Sequence, residues 1–187
     1  MAGIGKVMDE VKKAVVGKDA VLLRAVLAIL ADGHILLEDV PGVGKTTMAL
    51  AFSKALGLSY RRIQFTPDVM PSDVVGFYYY NKENGKFEYR QGAVMTNLLL
   101  ADEINRTSSR TQSALLEVME EGQVTVDGVT RNIPEPFFVI ATQNPLGSAG
   151  TQMLPESQMD RFMVLLSMGY PTIKEEMILM SQRKVSD

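Results

Sequence analysis

The richest chemistry in the chain sits in "EDVPGVGKTT", residues 38–47, where Gly42 and Gly44 lead into Lys45, Thr46 and Thr47. An apolar run, "HILLEDV", precedes this stretch, and an apolar-periodic segment follows it, so the spacing predicts strand, tight loop and helix in succession. A helix that opens at Gly44-Lys45-Thr46 turns its unpaired N–H groups and the positive end of its dipole toward the loop, and glycines let the backbone approach an anion's oxygens. The segment Pro41, Gly42, Val43, Gly44, Lys45, Thr46 and Thr47 is therefore expected to cradle nucleotide phosphates. In it, Lys45 would reach the β- and γ-phosphates and the Thr46 hydroxyl would coordinate Mg²⁺. The G-x-x-x-x-G-K-[ST] spacing is met except at its first glycine, where Asp39 stands. Aspartate tolerates left-handed backbone better than most residues, provided that its charge points away from the phosphates.

Three further groups fall at the ends of apolar runs. "LLLADE" closes on Asp102 and Glu103; beside a phosphate loop the first acid can hold Mg²⁺ and the second can polarise the water that attacks a γ-phosphate. Paired acids favour hydrolysis over simple nucleotide binding, because a switch or a kinase needs only the first. "FFVIATQNP" places Asn144 at the end of the next run, where a neutral amide can orient that water or sense the γ-phosphate, or simply form a turn before proline. "LPESQMDRF" puts Arg161 before the last apolar run. Its two readings are a surface ion pair with Asp160 and, in a ring, an arginine finger for a neighbour's γ-phosphate.

These groups need a frame that brings strand ends together. Candidate strands cover residues 34–40, 60–65, 97–103, 137–143 and 161–167, and most are apolar at consecutive positions, as strands covered on both faces are. Helices are expected from Asp19 to Ala31, with Leu22, Val26, Ile29 and Leu30 on one stripe, from Lys45 onward, and from Ser109 to Glu121, stopping at Gly122. The predicted fold class is α/β, a five-stranded parallel sheet sandwiched by helices. Two insertions read as β-hairpins, "FYYYNKENGKFEYR" with Asn-Gly and "VTVDGVTR" with Asp-Gly, each dipeptide suited to a turn with positive φ. With 187 residues, 46% hydrophobic and 22% charged, the chain has material for one core. A net charge of -3 lacks the basic footprint of a nucleic-acid reader, and no cysteine occurs. The charged N-terminus is unlike a signal peptide and the apolar runs are too short to span a bilayer, so a cytoplasmic location away from membranes is expected.

On "LLEDVPGVGKTT", "RIQFTPDVMPSDVVG", "NLLLADEINR", "TQSALLEVMEEGQVTVDG", "PFFVIATQNP" and "LPESQMDRF", in that order over residues 14–172, the sequence resembles an AAA+ ATPase of the MoxR family. The resemblance implies the large α/β domain of a P-loop NTPase over residues 1–170, with 171–187 the start of a truncated helical lid. It makes Lys45 and Thr46 the Walker A lysine and threonine, Asp102 and Glu103 the Walker B acids, Asn144 sensor 1 and Arg161 the finger. Val16 and Gly17 fall where relatives pack adenine, or else form a helix–helix turn. ATP and Mg²⁺ are the implied cofactors. Proteins of this kind form rings, usually hexameric, and use ATP turnover to remodel or mature protein complexes, often with von Willebrand A-type partners. The missing lid would carry the sensor 2 arginine, which predicts weak ATP binding and slow turnover here. "FEYRQGAVMTN" departs from the family in lacking a Pro-flanked glycine before the Walker B strand.

Three other functions compete. A DNA-remodelling AAA+ motor also carries a hairpin before sensor 1, but "QVTVDGVTRNI" offers only Arg131 as a basic residue. A GTPase is suggested by "NKEN" at residues 81–84, which lacks the guanine-reading Asp of N-K-x-D. A non-catalytic ATP-dependent interaction module would differ in the consequence of losing Glu103. His34, the single histidine, reads as structural or surface rather than as a ligand. Arg106 and Arg110 either solvate a helix start or contact an adjacent protomer.

Overall fold

The structure, a computed structural model, describes residues 2–38, 44–144 and 153–169. Asp39, Pro41, Gly42 and Val43 of the phosphate loop, and the segment expected to begin a lid, lie outside the described residues.

The chain begins with α1 (Ala2–Ala14) and α2 (Asp19–Leu30), then β1 (Ile35–Glu38), α3 (Lys45–Leu56) and β2 (Tyr60–Gln64). A short α4 (Pro71–Val75) leads into a hairpin, β3 (Gly76–Asn81) and β4 (Lys86–Gln91), before β5 (Leu98–Asp102). A 3₁₀ turn, Ile104–Arg106, and α5 (Ser109–Glu121) precede a second hairpin, β6 (Gln123–Val126) and β7 (Val129–Asn132). The described chain then runs through β8 (Phe138–Gln143), α6 (Glu156–Met159) and β9 (Val164–Leu166).

The expected sheet is present: five strands in the order β2-β5-β8-β1-β9, all parallel. Its strands are apolar at successive positions because each face has its own cover. Leu98 and Leu100 join Leu37, Ile140 and Phe138 in a core with α1, α2 and α3, whereas Leu99 and Ala101 join Leu36, Val139 and Ala141 in a core with α5 and Val74 of α4. α3 starts behind Gly44 at φ 73 and buries Met48, Ala49 and Phe52. α5 is capped by Ser108, whose side chain accepts from the Thr111 N–H, and ends at Gly122 with φ 65. Its expected limits are met.

Three details differ from expectation. Leu30 is 54% exposed, so the inward stripe of α2 is Leu22, Val26 and Ile29 with Ala25 and Ala28; Leu30 ends the helix, beyond the reach of the sheet. The first hairpin turns through four residues, Lys82 to Gly85, closed by the Gly85 N–H on the Asn81 carbonyl at 2.9 Å, and of Asn84 and Gly85 only the glycine takes positive φ. The second hairpin does use both residues of its dipeptide, Asp127 at φ 49 and Gly128 at φ 77. Finally, α1 forms an additional helix, whose Val11 is buried, as is Val15 just beyond it, and whose Ile4, Val7 and Met8 pack on the first core.

The loop after β4 has its shape fixed by Gly92. A Cβ on this residue would lie 2.2 Å from the Val74 carbonyl oxygen and 2.4 Å from the Gly76 nitrogen. The next two residues bond back to α4, Ala93 N–H to Asp73 O at 2.9 Å and Val94 N–H to Val74 O at 3.2 Å. A bare glycine thus allows contact between backbones without flanking prolines.

Candidate functional site

Parallel strands put their carboxyl ends on one edge, the usual place for a ligand crevice in an open α/β sheet. Register places Glu38 opposite Gln143, Leu37 opposite Thr142, Gln64 opposite Asp102 and Ala101 opposite Ala141. The edge therefore gathers the acids that end β5, Asn144 just beyond β8, and the end of β1, from which the chain runs toward Lys45. Alternation also sends Asp102 to the side of Leu100, and Thr142 to the side of Ile140; that side is covered by α3, the helix that Lys45 opens. Lys45 is 9% exposed, its stem packed at the helix start, whereas Thr46 and Thr47 are exposed.

The acids are held from several directions. Asp102 Oδ1 accepts the Thr142 hydroxyl at 2.6 Å, and Oδ2 accepts Arg62 Nη2 at 2.7 Å. Glu103 takes left-handed backbone, φ 55, rare for a residue with a Cβ, and its N–H donates to Thr142 Oγ1 at 2.8 Å. Gln64 and Arg106 both donate to Glu103 Oε2, at 3.0 and 2.8 Å. The two side chains are 15% and 20% exposed, shielded yet reachable from the edge.

Asn144 is tied by its backbone. The fully buried Asn105 donates through Nδ2 to the Asn144 carbonyl at 3.0 Å and accepts the Asn144 N–H at 3.3 Å. Gln112 of α5 donates to the Ile104 carbonyl at 2.9 Å and braces the same turn. Gln143 donates to Glu38, fastening β8 to the end of β1.

Other residues singled out in the sequence are spread over other elements. Val16 and Gly17, the latter at φ 79, form the turn between α1 and α2. Arg161 pairs with Glu120 of α5, Nη2 to Oε2 at 2.9 Å and Nε to the same oxygen at 3.1 Å, rather than with Asp160. It precedes β9 by three residues, near where Val164 pairs with Ile35 and Met163 bonds to His34, so it lies at the amino edge of the sheet, opposite the acids. Arg106 is spent on Glu103, while Arg110 is exposed on the first turn of α5. His34 is structural: Nδ1 accepts the Val139 N–H and Nε2 donates to the Met119 carbonyl, both at 3.1 Å. Burial lowers its pKa, the Met119 carbonyl opposing this more weakly.

The rival motifs have other occupations. Asn81 and Asn84 of "NKEN" accept backbone N–H groups of Glu83 and Lys86 at the hairpin tip, and both donate to Glu88. Arg131 lies over the rings of Tyr78 and Tyr89, 5.2 and 4.0 Å from their centroids, and donates to the Tyr78 hydroxyl. Among the described residues, no helix is long and apolar enough to cross a membrane.

Sequence reasoning missed Arg62, Gln64, Asn105 and Thr142. The last two carried a readable signal, since a polar residue inside an apolar strand or beside a buried turn must find a partner.

A metal at this edge would meet only hard oxygen donors, the Thr46 hydroxyl and the Asp102 carboxylate. Among the described residues no group of three or more His, Cys, Asp or Glu side chains could enclose an ion. Few protein ligands, with phosphates and waters making up the rest, suit Mg²⁺.

Comparison with known proteins places this arrangement. The model of the ATPase family associated with various cellular activities (AAA) matches residues 34–164. YeaC of Bacillus subtilis is 54% identical over 98% of the chain, which covers 57% of YeaC. Chaperone MoxR1 of Mycobacterium tuberculosis is 47% identical over 89% of the chain, which covers 44% of it. A crystal structure of a candidate ATPase from Cytophaga hutchinsonii superposes with a TM-score of 0.89 at 46% identity, over all of this chain and 56% of that one. The chain thus spans about half the length of the relatives it matches.

Proposed function

Since the chain belongs to the MoxR family of AAA+ ATPases, we propose that it binds ATP at the carboxyl edge of its sheet and hydrolyses it there. The observation that carries this reading is the pair of acids at the end of β5, ordered by β8 and Arg106 on the edge toward which β1 delivers Lys45.

In this reading the N-terminus of α3 receives the phosphates, with Lys45 at the β- and γ-oxygens. Thr46 and Asp102 are the residues that would hold Mg²⁺, which when bound neutralises phosphate charge as the γ-group departs. Glu103, fixed at Oε2, uses Oε1 to take the proton of a water as it attacks the γ-phosphorus. Asn144 presents a neutral amide to the same water or to the γ-oxygens. Arg161 stands at the far edge of its own sheet, so as a finger it would serve a second copy of the chain. Assembly into a ring, usually a hexamer in this family, and use of turnover to remodel protein complexes complete the proposal. The latter rests on the relative named as a chaperone.

Glu103→Gln provides the test, because it keeps shape and hydrogen bonding but cannot accept the proton. ATP binding should stay near the wild-type level while turnover falls by about 10²- to 10⁴-fold. Undiminished turnover would remove Glu103 from the mechanism and favour a non-catalytic ATP-dependent module.

A further inference from the structure

Thr142 is fully buried on β8, two residues before Asn144, and its hydroxyl bonds both the Asp102 carboxylate and the backbone N–H of Glu103. The direction of each bond follows from chemistry. A backbone N–H only donates, so the Glu103 N–H occupies a lone pair of Oγ1, and the single hydroxyl proton goes to Asp102 Oδ1. Both consequences bear on the site. The first bond anchors the backbone just where Glu103 takes its left-handed φ of 55, which sets the exit direction of that side chain. The second occupies Oδ1 and leaves Oδ2 as the oxygen presented to a cation, the position that Arg62 takes at 2.7 Å.

We propose that Thr142 is a positioning residue for ATP hydrolysis: its hydroxyl selects which oxygen of Asp102 faces the metal and holds Glu103 in the backbone conformation that aims its carboxylate at water. The assignment rests on the proposed ATPase reading. It extends that reading to a residue that would touch neither nucleotide nor metal.

A purely structural threonine would show its loss in stability alone, so the test separates hydroxyl from volume. Thr142→Val keeps the shape and removes the hydroxyl; Thr142→Ser restores the hydroxyl on a smaller side chain. Mn²⁺, followed by its paramagnetic signal in the presence of a nonhydrolysable ATP analogue, probes the metal position apart from turnover. The valine variant should bind Mn²⁺ about 10- to 100-fold more weakly, with a comparable drop in kcat. Its KM for ATP should change little, and serine should recover most of both losses. If the valine chain does not fold, Thr142→Ala provides the second hydroxyl-free variant and must show the same weakened Mn²⁺ binding.

Wild-type Mn²⁺ affinity and kcat in a hydroxyl-free variant would overturn the assignment. So would a serine variant as impaired as valine, which would mark a packing role. If wild-type chain binds no Mn²⁺ with the analogue, the ATPase reading falls and this inference with it; if wild type binds and valine matches it, only the role of Thr142 falls.

Discussion

At the scale of single residues, His34 shows how a buried side chain couples the fold to pH. Burial disfavours the charged ring, and the Val139 N–H points at Nδ1, so protonating that nitrogen would set two donors against each other. The folded-state pKa therefore lies below the unfolded value of about 6.5, and the native state binds fewer protons in that window. The resulting stability is fully present above the unfolded value and is lost as pH falls from there through the folded pKa. Urea midpoints of the wild type should decline over this window, and His34→Ala, less stable at every pH, should show a flatter profile. An unchanged slope in the variant would assign the dependence to other groups. The sequence allowed His34 to be read as structural, but its two partners come from elements 85 and 105 residues away and have no local signature. The same holds for Arg62 on Asp102, 40 residues apart and joined only once β2 pairs with β5.

At the scale of elements, the strands and the three long helices from Asp19 onward were legible from their apolar patterning, and the end of α5 from its glycine stop at Gly122. α1 carries a comparable stripe, Ile4, Val7 and Val11, but exposed charges such as Lys12 and Lys13 surround it, and it packs on helices rather than on the sheet. The first hairpin was legible in type but not in loop length. Asn84 accepts the Lys86 N–H through its side chain and donates to Glu88, which keeps it out of a two-residue turn. The connection from that hairpin to β5 depends on Gly92, whose hydrogens face the backbone of α4 and β3. Gly92→Ala should lower stability by about 1–3 kcal/mol through overpacking against rigid backbone, read as a lower urea midpoint. A variant as stable as wild type would mean that this junction yields.

At the scale of the whole molecule, one sheet edge collects Lys45, Thr46, Asp102, Glu103 and the backbone of Asn144, while Arg161 waits at the other edge beside Glu120. No bending of a paired five-stranded sheet brings those edges together within one chain. The motif order in the sequence named both halves, but only the strand register shows that they face opposite ways. Under the proposed function, an arginine finger in this position would serve a neighbouring copy, and a complete hydrolytic site would draw on two chains. The most direct test mixes two variants, Glu103→Gln, which retains Arg161, and Arg161→Ala, which retains both acids. Each alone should be nearly silent in ATP turnover, and the mixture should regain activity at seams where an intact acid pair meets an intact arginine. A mixture as silent as its components, or an Arg161→Ala chain with wild-type turnover, would contradict a site shared between copies.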